Sequence, residues 1–254
     1  MSIEFVLMGF LVGGLVGLTG VGGASLLTPL LIFLGINPSM AIGTDFVYNS
    51  ITKLAGTLQH VKQRTVDFKI VKYLALGSVP GSILANLAVF SVLSPYYNQH
   101  TVTIILGVIL VLLSFLTAVQ LFWIPGKSNK WRLRSLNEKR FHLMGLGFIV
   151  GMIVGATSVG AGSFTALILF YFINQKSAEI VGTDIAHAFI LVTVTGFLMI
   201  GSGHVNYLLA GNLLCGSIPG TIIGSKLSTK TPPKLLRIIM IIIILISGLK
   251  LFFP

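Results

Sequence analysis

The motif "GTD" stands at Gly43–Asp45 and again at Gly182–Asp184, each time within a long apolar run. A carboxylate inside such a run is costly and marks an ion pathway or a buried partner by default. His187 lies three residues past Asp184 and so shares its helix face; its imidazole could relay protons. Lys53 follows Asp45 by two helical turns, with Asn49 between them at the i+4 position. Asp45, Asn49, Asp184 and His187 therefore form a candidate ion-coupling set. Lys53 could pair with Asp45 or meet an anion. A structural reading competes: Thr-Asp pairs about one turn inside a helix can serve as caps, and a buried histidine can be a satisfied core residue.

A second group of residues surrounds two glycine clusters, "GLTGVGGASLLTP" from Gly17 and "GATSVGAGSFTAL" from Gly155. Glycine in a helix interior costs roughly 1 kcal/mol relative to alanine, so each cluster predicts a helix break. The apolar segments that follow, 24–34 and 162–173, would cover about 17 Å of helix against a hydrocarbon core of about 30 Å. The breaks then belong near mid-membrane, where irregular backbone is tolerated only if it lines a cavity or is buried in protein. Each short helix begins with unpaired N–H groups, and two such ends converging favour an anion. The candidate substrate-binding residues are Thr19, Gly20, Gly22, Gly23, Ser25, Thr28, Ser158, Gly160, Gly162, Ser163 and Thr165, with Lys53 as balancing charge. Close packing of helices through small residues is the alternative. It does not account for short helices after both breaks.

These residues need helices to carry them, and the composition supplies the class. Of 254 residues, 54% are hydrophobic and only 9% charged, against about 25% charged in soluble domains. Mean hydropathy is +0.97. Apolar runs such as 101–123 and 235–249 read as membrane helices, so the fold expected is an all-α polytopic membrane protein. The net charge of +11 sits in short loops and fits membrane topology better than nucleic-acid binding. The single cysteine, Cys215, excludes an internal disulfide. The start "MSIEFVLMGF" has no basic region before its apolar stretch and reads as mature protein rather than a signal peptide. No HExxH, CxxC or phosphate-loop motif is present, and neither a cofactor nor a metal is expected.

The chain repeats. Gly17 falls on Gly155, and Val21, Gly22 and Ser25 on Val159, Gly160 and Ser163; one inserted residue later the two GTD motifs coincide. "VDF" at 66–68 then matches "VNY" at 205–207, and "GSVPGSI" at 77–83 matches "GSIPGTI" at 216–222. Five apolar segments are expected per copy: 3–19, 24–34, 41–60, 68–92 and 101–123, then 141–157, 162–173, 180–200, 206–226 and 234–253. The organisation read from this is a first membrane repeat, 1–124, a basic linker, 125–140, and a second repeat, 141–254. An odd number of segments predicts inversion. Placing 62–72 and the linker in the cytoplasm puts fifteen of the seventeen Lys and Arg residues inside, Lys53 and Lys250 excepted. Both termini come out external, in a multi-pass protein of the cell membrane. Inverted repeats with broken helices are a transporter architecture.

On "GVGGASLLTPLLIFLGINPSMAIGTD", "GSVPGSILA" and their second copies, the chain resembles the sulfite exporter TauE/SafE family over nearly its whole length. The resemblance implies export of small sulfur-containing anions, sulfite or organosulfonates; the paired carboxylates, which would repel such an anion if both were charged, are expected to carry a proton or another coupling cation. Pro29 keeps the family's proline after the first short helix start; Leu167 replaces it in the second copy, and "GVGGAS" becomes "GAGSF". The site is expected to be lopsided. A passive anion channel stays open as an alternative, as does homodimer assembly. An intramembrane serine protease using Ser163 and His187 leaves the repeat unexplained, and a metal-ion transporter would want more ligands than two Asp and one His.

Overall fold

The structure, a computed structural model, describes residues 3–19, 24–92, 99–123, 132, 134–228 and 233–252. Among these residues it is all-helical. In chain order the helices are α1 (Ile3–Thr19), α2 (Ala24–Phe33), α3 (Pro38–Lys62), α4 (Phe68–Leu87), α5 (Gln99–Trp123), α6 (Leu136–Thr157), α7 (Ser163–Phe172), α8 (Ser177–Gly201), α9 (Tyr207–Ser228) and α10 (Pro233–Lys250). A single π turn, Ala88–Val92, prolongs α4. Four stretches are long and apolar enough to cross a bilayer: Phe68–Phe90, His100–Val119, Leu136–Thr157 and Ala178–Gly201. The protein is a polytopic helical membrane protein. α2 and α7 have ten residues each, about 15 Å of helix, half a span.

Local chemistry fixes the helix starts. Asn37 accepts a hydrogen bond from the Ser39 N–H at 2.9 Å, with Pro38 at the first helical position, so α3 begins three residues earlier than the apolar run suggests. The Asp67 carboxylate caps α4 by accepting from the N–H groups of Lys69 and Ile70. Ser135 caps α6, so the last residues of the 125–140 stretch are already helical. Large apolar side chains such as Leu7, Phe115, Ile149, Phe197 and Leu208 point outward, while Ser25, Thr28, Thr44, Ser78, Ser82 and Thr165 are buried. That inversion of the soluble pattern suits a lipid solvent, where close packing and interhelical hydrogen bonds hold helices together.

Helix pairings come in exchanged sets. α1 packs along α9, and α6 along α4; α4 also lies against α8, and α9 against α3. α3 crosses α8, and α5 crosses α10. Matching glycines make the two main seams. A Cβ on Gly77 of α4 would stand 1.9 Å from the Met144 carbonyl oxygen, and one on Gly216 of α9 would stand 1.8 Å from that of Val6. Only glycine lets these backbones approach so closely. The glycines of "GSVPGSI" and "GSIPGTI" are thus seam residues, distinct from those at the breaks. Pro80 and Pro219 sit inside α4 and α9 at matching positions.

Candidate functional site

α3 and α8 carry the GTD motifs into the centre of the molecule. Their threonines tie down loops of the other sequence copy. Thr44 Oγ1 accepts from the Asn206 N–H at 3.1 Å, and Thr183 Oγ1 accepts from the Asp67 N–H at 3.0 Å. The aspartates that follow are each seven residues into their helices, two turns from the starts at Pro38 and Ser177. Neither caps a helix; Asn37 holds that position for α3, and the Glu179 carboxylate accepts from the Lys176 N–H at the start of α8.

Asp45 is fully buried and fully engaged. Its Oδ2 accepts from Thr28 Oγ1 at 3.0 Å and from Ser158 Oγ at 2.6 Å. Its Oδ1 accepts from the Asn49 amide at 2.7 Å. Three elements therefore converge on one carboxylate: α2, α3 and the break after α6. Lys53, two turns along α3 and 6% exposed, acts electrostatically on both Asp45 and Asp184.

Asp184 is 3% exposed, and its Oδ1 has no hydrogen-bond partner among the described residues. An unmatched buried oxygen is costly. His187, one turn on, is held at both ring nitrogens: Nε2 to Ser78 Oγ at 2.7 Å and Nδ1 to Thr165 Oγ1 at 3.3 Å. It links α8 to α4 and to the start of α7. Tyr48 occupies the matching place on α3, and its hydroxyl donates to Ser217 Oγ at 2.7 Å. Ser78, Tyr48 and Ser217 were not singled out by type. The serines lie inside the repeated "GSVPGSI" and "GSIPGTI", which is the signal that could have found them.

The second break runs from Ser158 to Gly162, and all five residues are buried. Ser158 ends α6 in the left-handed region (φ 62°), where non-glycine residues are disfavoured. Gly160 has φ 90°, which suits glycine alone. The Phe164 and Ala166 N–H groups donate to the Gly160 and Gly162 carbonyls, and no side chain caps α7. Ser163 and Thr165 are buried at its first turn. Asn86 of α4 donates to the Gly155 carbonyl at 3.2 Å, bracing the last turn of α6. On the first break, Gly20, Gly22 and Gly23 lie outside the described residues, as does the side chain of Thr19; Ser25 is buried in the first turn of α2.

The structure thus brings Thr28, Asp45, Asn49 and Ser158 into one cluster, with Lys53 buried two turns further along α3, and it joins His187, three residues past Asp184, to Thr165. Of the proposed anion donors, the Thr28 and Ser158 hydroxyls are committed to Asp45. Among the described residues, no group of three or more His, Cys, Asp or Glu side chains could hold a metal ion.

Comparison with known proteins gives this architecture a family. The profile described as "Sulfite exporter TauE/SafE" matches residues 5–251. The chain is 53% identical to the probable membrane transporter protein YjnA of Bacillus subtilis, over 99% of this chain and 100% of YjnA. It is 28% identical to YunE of the same organism, over 99% and 97% of the two chains, and 25% identical to YdhB, over 98% and 99%; both are likewise named probable membrane transporters. No solved structure matches it significantly. With buried carboxylates, half-length helices after glycine breaks and a match over nearly every residue, the chain belongs to the sulfite exporter TauE/SafE family of membrane transporters.

Proposed function

We propose that the protein moves a small sulfur-containing oxyanion, sulfite or an organosulfonate, across the cell membrane, and that the anion binds at the glycine breaks. The observation that carries this is the start of α7: a buried, uncapped helix N-terminus behind a glycine at positive φ. N–H groups without intrahelical partners at a helix start favour an acceptor with several oxygens and negative charge. The first break, with Gly22 and Gly23, would face it from the other copy, and Lys53 would balance the charge. The carboxylates serve ion coupling, with protons as the coupled ion. In proteoliposomes screened with sulfite, sulfate, thiosulfate and sulfoacetate, flux of at least one anion should saturate, as a carrier requires. Gly160→Val should abolish it while the protein still inserts, because a Cβ there would stand 2.3 Å from the Phe164 ring. Wild-type flux in that variant would overturn the binding site, and flux that never saturates would make the protein a channel.

The reading includes two inverted repeats, 1–124 and 141–254, joined by a cytoplasmic linker. The exchanged pairings of α1 with α9 and of α6 with α4 support a two-fold relation between the copies. The odd helix number of each copy supports its inversion. In a Cys215→Ala background, cysteines at Gln63 and Ser202 occupy matching exposed loops. Membrane-impermeant labelling of intact cells should reach position 202 and spare 63; labelling of both from outside would rule inversion out.

A further inference from the structure

We propose that a cavity where α4 and α6 begin holds the headgroup of an anionic phospholipid, whose chains run down the lipid-facing stripes below it. This holds whatever the protein transports.

The packing of the two helices shapes the cavity. A Cβ on Gly147, Gly151 or Gly155 of α6 would stand 2.6, 2.0 or 2.3 Å from the carbonyl oxygens of Leu74, Ser78 and Ser82 respectively. The helices therefore run parallel and start on one face of the molecule. Carried back in that register, Leu136 lies level with Gln63, more than a turn beyond the start of α4 at Phe68. The step so formed is a cavity of about 440 Å³, lined by Lys69, Lys72 and Tyr73 of α4 and by Ser135, Leu136 and Asn137 at the start of α6. Two apolar spans, Phe68–Phe90 and Leu136–Thr157, begin here. The cavity thus lies at the level where hydrocarbon gives way to headgroups.

Its walls are of two kinds. Lys69 and Lys72 are exposed, and no carboxylate is among the lining residues. The acids nearest in sequence are engaged: Asp67 accepts from the Lys69 and Ile70 N–H groups and from the Gln175 amide, and Glu138 accepts from the Ser135 hydroxyl. Tyr73 and Leu136 pack on the apolar cluster that includes Ile70, Leu74 and Leu143. The result is a cationic rim over an apolar floor, and a tyrosine, with its polar tip on an apolar ring, suits the membrane interface. Below the cavity each helix continues as an outward apolar stripe. On α4, Lys72 is followed at four-residue steps by exposed Leu76, Pro80 and Leu84. On α6, Asn137 is followed by exposed Phe141, Gly145 and Ile149, and a Cβ on Gly145 would meet nothing within 4 Å. Residues four apart share a helix face, so both stripes lead from the cavity into the bilayer. A soluble phosphate would use the lysines alone, whereas a lipid uses the lysines, the floor and the stripes. Basic pockets between spans on the cytoplasmic side, the side assigned above to the linker, suit acidic headgroups.

Native mass spectrometry of the purified full chain in a neutral detergent measures the binding of single lipids. The probes are phosphatidylglycerol, phosphatidylcholine with the same chains, glycerophosphoglycerol (the headgroup without chains) and inorganic phosphate. Phosphatidylglycerol should bind more tightly than phosphatidylcholine. Lys69→Gln together with Lys72→Gln should weaken that binding roughly 25-fold, at about fivefold for each near-surface lysine. Lys62→Gln together with Lys176→Gln removes two exposed cations outside the cavity and should leave it unchanged. Equal affinity for the two lipids, or an equal loss in the two double variants, would overturn the proposal. So would binding of glycerophosphoglycerol or inorganic phosphate as tight as that of the lipid, which would make the cavity a site for a soluble phosphate.

Discussion

Asp45 and Asp184 start from the same motif at the same depth of matching helices and end in different company. Asp45 is held by donors from α2, from its own helix and from the break after α6. Asp184 keeps an oxygen unmatched among the described residues. What separates them is small in sequence: the residues four and eight positions on, Asn49 and Lys53 against Ala188 and Val192, and the serine at the second break. The two sequence copies share the frame, and a few changes within it set the two aspartates apart. In this frame Asp45 is a latch that joins α2 and α3 to the break after α6, and Asp184 has no such partners among the described residues.

The comparison can be broken most decisively by removing each carboxylate. Asp45→Ala strands three buried donors and should cost about 3 kcal/mol or more of stability, at roughly 1–3 kcal/mol for each unsatisfied group. Asp184→Ala strands no hydrogen-bond donor among the described residues and should cost at least about 2 kcal/mol less. Thermal unfolding in detergent micelles reads both; an equal loss in the two variants would mean that the aspartates are equivalent.

A smaller effect sharpens the picture at Ser158. Its left-handed backbone costs about 1–2 kcal/mol for a non-glycine residue, and the first copy has Gly20 at the matching position. The hydroxyl bond to Asp45 repays that strain, a bond to a charged group being worth about 1.5–3 kcal/mol. Ser158→Ala loses the bond and keeps the strain; Ser158→Gly loses both. Ser158→Gly should therefore unfold at the higher temperature, by about 1 kcal/mol in stability. Identical melting of the two variants would show that the hydroxyl is not held at the expense of the backbone.

The ten helices of the described residues were legible because apolar runs and glycine clusters mark their limits at the scale of a bilayer. The start of α3 was not. Asn37-Pro38 reads as a loop before the apolar run, yet it is a cap and a first helical residue, and this puts Asp45 two turns deep instead of one. The charged and polar residues of the site could be named from type and spacing alone. Their pairings could not. Nothing in the local sequence says that the Ser158 hydroxyl faces Asp45 and not a ligand, or that His187 reaches Ser78 on another helix. The glycines were legible as unusual, but their two uses were blended: those at 77 and 216 admit a neighbouring backbone, and Gly160 admits a turn. Which helix packs on which is set by side-chain fit over a hundred residues of separation, and hydrophobic period carries no record of it.

The seam between α1 and α9 has a consequence for how the protein is made. About 190 residues lie between the end of the first helix and the start of its partner. At synthesis rates of about 5–20 residues per second, α1 spends ~10–40 s in the bilayer before α9 exists. Throughout that interval its glycine face, shaped for another backbone, meets only lipid or whatever membrane factor shelters it. α6 has no such delay, since α4 precedes it. The two seams are alike in the finished molecule and unlike in their history, and a fault in biogenesis will fall first on the seam that α1 waits to close.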